Sequence, residues 1–207
     1  MHVPASDDSG KVRLIQFRHP DGFDAIPFFT SWEKARAASS ASVRILTLAG
    51  RDLLAGTLGA TLMLNPNDGG AVLYPEEIKA LLETGAMARI EKVSMSGMDV
   101  RPVTYTPGWL IPALCTCLEQ ADFVFSAYIL ESRSMTDSEH MEGLLICLVA
   151  NPAYAERAAR LVTSALQPLA SEADPIIDIV VHDASAPLPE YVTSLHIIPI
   201  FDRSGRR

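Results

Sequence analysis

The chain has 207 residues, 48% of them hydrophobic and 20% charged, enough for one large domain or two small ones with buried cores. A formal net charge of −8 excludes the broad basic face that phosphate-backbone binding needs, so no nucleic acid is expected as a partner. Three cysteines, Cys115, Cys117 and Cys147, are too few for a disulfide framework and suit a reducing compartment.

In chain order, residues 1–10 read as a mobile lead-in, because "MHVPASDDSG" lacks a sustained pattern and has no apolar core of the secretory kind. The alternation of Val12, Leu14 and Gln16 against Arg13, Ile15 and Phe17 predicts a half-buried strand over 12–18. "DAIPFF" (24–29) is a second extended piece, with Pro27 favouring an edge or end. Thr30 followed by Glu33 matches a capping box, and Trp32, Ala35 and Ala38 or Ser39 recur at helical spacing, so a helix opens there. "SVRILTLAG" reads as a short strand and "RDLLAGTLG" as a short helix closing near Gly59.

"ATLMLNPNDGGAVLY" predicts two strands around a turn, since Pro, Asn, Asp and Gly cluster between β-like runs. Its Asn65, Asn67, Gly70, Val72 and Glu76 fall near calcium-loop positions. The first position lacks its Asp and Gly69 offers no side-chain oxygen, so a hairpin turn is the better reading. "PEEIKALLET" is a helix with Pro75 at its first position, Ile78, Leu81 and Leu82 on one face, and Gly85 as terminator. Residues 91–107 are polar and punctuated by Gly and Pro, which places a module boundary there.

Beyond it, Thr106 and Pro107 suggest a helix start, with Pro112 leaving its first residue open. "FVFSAYILES" and "GLLICLVA" are strands joined by a polar loop, and the second is too short to span a bilayer. Asn151 and Pro152 open a long helix whose apolar face carries Tyr154, Ala158, Leu161, Val162, Ala165 and Leu169. "PIIDIVVHD" reads as a buried strand, and "LPEYVTSL" and "HIIPIF" close the chain. The expected fold is α+β. Two small mixed modules stand in tandem, each a mixed or antiparallel sheet with packed helices, over 11–92 and 106–203. A linker spans 93–105 and a short tail 204–207.

Taken in order, "IPFFTSWEKA", "LNPNDGGAVLYPEEIKALLETG", "PGWLIPALCTCLEQADFVFSAYI", "GLLICLV", "IIDIVV" and "IIPIFDR" resemble the SseB family, named for enhanced serine sensitivity. The likeness covers roughly residues 12 to 203 and is to the two-domain form, with N-terminal and C-terminal SseB domains. It implies a bacterial, cytoplasmic protein, with an association with type III secretion and toxin–immunity genes. It names a fold family and no reaction.

No motif for chemistry accompanies it. Cys115 and Cys117 stand two apart on a helix and point to different faces, and Cys147 sits in an apolar strand. The histidines, His2, His19, His140, His182 and His196, lack metal-ligand spacing, so neither a metal nor another cofactor is expected. The expected function is non-enzymatic: binding or regulation through a protein partner, a second copy or a small metabolite, without membrane insertion. The surface proposed for it combines Phe28, Phe29, Thr30 and Trp32 with Asn65, Pro66, Asn67 and Tyr74, where aromatics stand beside a turn. The alternative is an enzyme of small-molecule, serine-related metabolism, with His182 and Asp183 at a strand end as first suspects.

Overall fold

A computed structural model describes residues 1–8, 11–91, 98–134 and 142–203. The chain divides into two compact units, Met1–Met87 and Ala88–Arg207, and is α+β. His140, most of the polar loop before "GLLICLVA", residues 93–97 of the expected linker and the 204–207 tail lie outside the described residues.

The first unit begins with β1 (His2–Asp8), where a mobile lead-in was expected. Val3, Pro4 and Ala5 are buried, a short apolar run that the polar residues around it disguise. β1 is also central in its sheet, antiparallel both to β2 (Lys11–Leu14) and, after two further strands, to β5 (Arg44–Thr47). Two long-range partners order residues whose local signal is weak. The expected strand over 12–18 is broken: Ile15 donates its amide to the Pro4 carbonyl, and β3 is only Phe17–Arg18.

The second sheet of this unit runs β3–β4–β6–β7, with β4 at Asp24–Phe28, β6 at Leu62–Leu64 and β7 at Val72–Leu73. β4 and β6 are parallel, the crossover carrying helix α1 (Trp32–Ala37), β5 and helix α2 (Gly50–Gly56). β6 and β7 form the expected antiparallel pair around the Asn-Pro-Asn turn. Helix α3 (Pro75–Thr84) starts on Pro75 and ends at Gly85, whose φ of 75° is the left-handed geometry glycine adopts freely. Val3, Ile26, Phe28, Leu53, Leu62 and Ile78 form the core.

The second unit holds one sheet in the order β11–β10–β9–β12, with β8 on β9 beside β12. β8 (Met98–Pro102) occupies part of the segment read as linker, antiparallel to β9 (Val124–Ser134). Helix α4 spans Leu110–Glu119, three residues after the start suggested by Thr106 and Pro107. A helix from Pro107 would place Pro112 beyond the first turn, where its missing N–H breaks a backbone bond, and the later start avoids this. β10 (Glu142–Ala150) is antiparallel to β9 and parallel to β11 (Ile176–Asp183). Asn151 caps a short 3₁₀ turn, and helix α5 (Ala155–Leu166) follows. Helix α6 (Glu190–Ser194) and β12 (Phe201–Asp202) close the unit.

The two faces of this sheet carry separate clusters. One is built with α4 and α5 around Leu114, Ile146, Leu148 and Val162; the other lies under α6 around Tyr128, Cys147 and Val192. β11 was expected to be buried but is half-exposed along its interior, because among the described residues it is an edge strand with a neighbour on one side only.

Candidate functional site

β4 and β6 run parallel, so their C-terminal ends lie side by side, and the chain leaves both into loops there. The Asn65 amide donates to the Phe28 carbonyl at 2.8 Å. The Asn65 side chain then ties the two exits: its Oδ1 accepts from the Thr30 amide at 3.1 Å, and its Nδ2 donates to Thr30 Oγ1 at 3.3 Å. Asn65 does this from a left-handed backbone (φ 42°), a conformation asparagine tolerates better than most residues. Lys34 and Asp68 form an ion pair at 2.8 Å between α1 and the turn. At Gly70 a Cβ would lie 1.5 Å from the Leu64 carbonyl oxygen, so the turn closes only around glycine.

Thr30 is therefore not the helix cap. Ser31 holds that position, extended at φ −138° and ψ 157°, its hydroxyl accepting from the Lys34 amide at 3.3 Å. The engagement of Thr30 by Asn65 moves the cap one residue along. Hydrogen bonding at its own backbone, then from Ser31, holds the Glu33 carboxyl below its ordinary range.

Against these exits lies a cavity of about 260 Å³. Its walls are Pro4, Ile15, Phe17, Pro27, Phe29, Val43 and Pro66, and Ala38, Ser39, Ser40 and Asn67 complete it. Arg36 donates to the Val43 carbonyl at 3.1 Å and pins the loop bearing one wall. Among the described residues, none of those lining the cavity carries a titratable side chain.

The structure brings Phe29, Pro66 and Asn67 to this cavity, with Thr30 and Asn65 joined to each other. It separates the others. Phe28 and Tyr74 are buried, Phe28 in the core and Tyr74 edge-on to Phe23 at 6.0 Å. Trp32, at the first turn of α1, is 50% exposed and does not line the cavity. Sequence reading missed Pro4, Ile15, Phe17, Pro27 and Val43 as lining residues. Pro27, a proline inside an expected extended run, was the available signal, whereas Pro4 fell in the segment read as a lead-in.

In the second unit His182 and Asp183 do not converge. His182 Nε2 bonds the Tyr191 hydroxyl at 2.6 Å, and that hydroxyl lies 3.9 Å from Cys147 Sγ. Burial lowers the His182 pKa, raises that of Tyr191 and pushes the Cys147 thiol up to about 11. A neutral thiol is a poor nucleophile. Asp183 is exposed and accepts from the Ser185 amide and hydroxyl at 2.8 and 2.7 Å, which keeps its carboxyl below the usual range. Burial, then the neighbouring Cys115, pushes Cys117 up to about 12. Among the described residues no group of three or more His, Cys, Asp or Glu side chains gathers as for a metal ion, and no helix is long and apolar enough to cross a membrane.

The cavity lies wholly within one recognisable sequence unit. Residues 1–80 match the family model of the SseB protein N-terminal domain. Every residue lining the cavity falls inside this SseB match, as do Thr30, Asn65 and Gly70, while residues 81–207 lie outside it. No curated protein and no solved structure matches the chain.

Proposed function

We propose that the chain is a non-enzymatic binding or regulatory protein of the bacterial cytoplasm. In this reading, its SseB N-terminal unit takes an apolar side chain of a protein partner into the cavity beside Phe29. The observation that carries this reading is the composition of the walls: Pro4, Pro27 and Pro66 with Ile15, Phe17 and Val43, edged by Ser39, Ser40 and Asn67. Proline walls lose little conformational freedom on binding, and hydroxyl and amide groups at the edge suit the main chain of a peptide. Acid–base or nucleophilic chemistry needs a titratable or activated group, and the lining supplies none. A volume of about 260 Å³ is below the range of about 300–1,000 Å³ common for small-molecule sites, which favours an anchor residue over a whole metabolite.

The enzymatic alternative rests on His182 and Asp183 and finds less support. Each is held by its own neighbour, Tyr191 and Ser185, with no shared reacting point.

Selection of displayed peptides against the full chain, followed by calorimetry, tests the proposal. Enriched peptides should share one large apolar residue. Ser40→Trp, a change at an exposed edge position, should weaken their binding at least about tenfold, or about 1.4 kcal/mol, at an unchanged melting temperature. Binding indifferent to Ser40→Trp and to Phe17→Ala sinks the proposal.

A further inference from the structure

β11 is the outer strand of the second unit's sheet, paired with β10 on one side and, among the described residues, with nothing on the other. It contains no Lys, Pro or Gly, the residues that commonly blunt an exposed edge, and its run "IIDIVV" is almost wholly apolar. Such an edge is a template for another strand.

The direction of its backbone groups can be read from two contacts. The Ala184 amide donates to the Ala150 carbonyl on β10, and the Ile176 carbonyl lies over Gly143 of β10. Peptide groups alternate along a strand, so Asp178, Val180 and His182 also turn theirs toward β10. Ile177, Ile179, Val181 and Asp183 turn theirs outward, with the Asp183 carbonyl already accepting from the Ala186 amide at 3.1 Å. The side chains divide in the same way. Ile177, Ile179 and Val181 pack on the cluster beneath α4 and α5, whereas Val180 packs on the opposite cluster and His182 reaches Tyr191 there. Asp178 lies on the Val180 face, half-buried, and its carboxyl makes no hydrogen bond among the described residues.

We propose that two copies of this chain associate through antiparallel pairing of their β11 strands about a two-fold axis at Val180. Only residues with outward groups can exchange ladder bonds, which restricts the register. An axis at Val180 sets Ile179 opposite Val181 and Ile177 opposite Asp183, so the outward groups of Ile179 and Val181 meet each other and those of Ile177 meet the Asp183 amide. An axis at Ile179 would bring in Pro175, which has no N–H, and an axis between residues would oppose outward groups to inward ones. The Val180 register also places Asp178 across from His182 of the partner subunit, on the same face and twice by symmetry. The ring nitrogen not bound to Tyr191 is then opposite a carboxylate that lacks a donor. The edge is thus complementary to itself in both backbone and side chains.

Sedimentation of the full chain between about 1 µM and about 1 mM tests this. The expected result is a species of twice the chain's mass. Val180→Cys should crosslink through position 180 on mild oxidation, because residues on the two-fold of a non-hydrogen-bonded pair lie about 4.5 Å apart at Cα. Peptide mass mapping distinguishes this bond from any made by Cys115, Cys117 or Cys147. Asp178→Lys should raise the dimer Kd at least about tenfold with an unchanged far-ultraviolet spectrum. A chain monomeric throughout, a dimer that does not crosslink at position 180, or a Kd indifferent to Asp178→Lys each overturns the proposal.

Discussion

Arg203 donates a guanidinium hydrogen bond to the Leu118 carbonyl at 2.7 Å, joining the end of the chain to the last turn of α4. The same group reaches the carbonyls of Ala121 and Val124, both at 3.1 Å, and its own amide donates to Phe125 at 2.8 Å. Phe125 is the extra residue of a bulge: Val149 pairs with Ser126, and Ala150 with Val124. One cation therefore adds a donor to carbonyls at the helix end and beside a break in the ladder, Leu118 and Ala121 also accepting from the amides of Ala121 and Val124. Arg203→Ala should cost about 2–3 kcal/mol in denaturant unfolding of the second unit, and Arg203→Lys should restore less than half. Equal stability of Lys and Arg would show that charge alone matters.

The cap of α1 makes a contrast between neighbouring residues. Ser31→Ala should cost about 1 kcal/mol, with Ser31→Asp near neutral. Thr30→Ala should lose its hydroxyl contact with Asn65 but keep the amide bond, so Asn65→Ala should be the more damaging of the two. Thr30→Ala and Asn65→Ala should be non-additive in a double-mutant cycle, while Thr30→Ala and Ser31→Ala should add within about 0.5 kcal/mol. Coupling between Thr30 and Glu33 instead would restore Thr30 as the cap.

Acid sensitivity of the second unit should trace to Glu131. Its carboxylate accepts from the Thr104 hydroxyl and amide and from Arg101, and these bonds, Thr104 first, lower its pKa to about 2. A depressed carboxyl stabilises the fold above its unfolded value of about 4.3, and that contribution fades as pH falls toward about 2. Melting temperature followed from pH 6 to pH 2 should drop over this window. Glu131→Gln should lower stability at pH 6 and flatten the drop. A parallel curve for the variant would place the acid-labile group elsewhere.

The two compact units are expected to fold alone. Expressed separately, residues 1–87 and 88–207 should each give a cooperative melt with a helix-and-strand circular dichroism spectrum, since each has its own core. Cleavage of the full chain between Ser96 and Asp99 should likewise leave both halves folded. Loss of structure in both pieces would mean that the chain folds as one domain.

Local features were legible wherever a few adjacent residues carry the whole signal. Pro75 and Gly85 bracket α3, the Asn-Pro-Asn-Asp-Gly-Gly cluster makes the turn between β6 and β7, and Ala158 and Val162 of the expected stripe are buried on α5, although Tyr154 precedes that helix and Leu169 lies past its end, exposed. Caps, turns and periodicity act within about one or two helical turns, so the sequence states them directly. Tertiary structure decided what depends on distant partners. β1 is an ordered central strand because β2 and β5 flank it, although its own residues carry only a short apolar run. Ser31 rather than Thr30 caps α1 because Asn65, 35 residues away, engages Thr30. The cavity gathers Pro4, Ile15, Phe17, Phe29, Val43 and Pro66 only once β4 and β6 lie parallel. Whether "IIDIVV" is an edge or an interior strand depends on which strands pair beside it, and strand pairing is set by contacts between residues far apart in the chain.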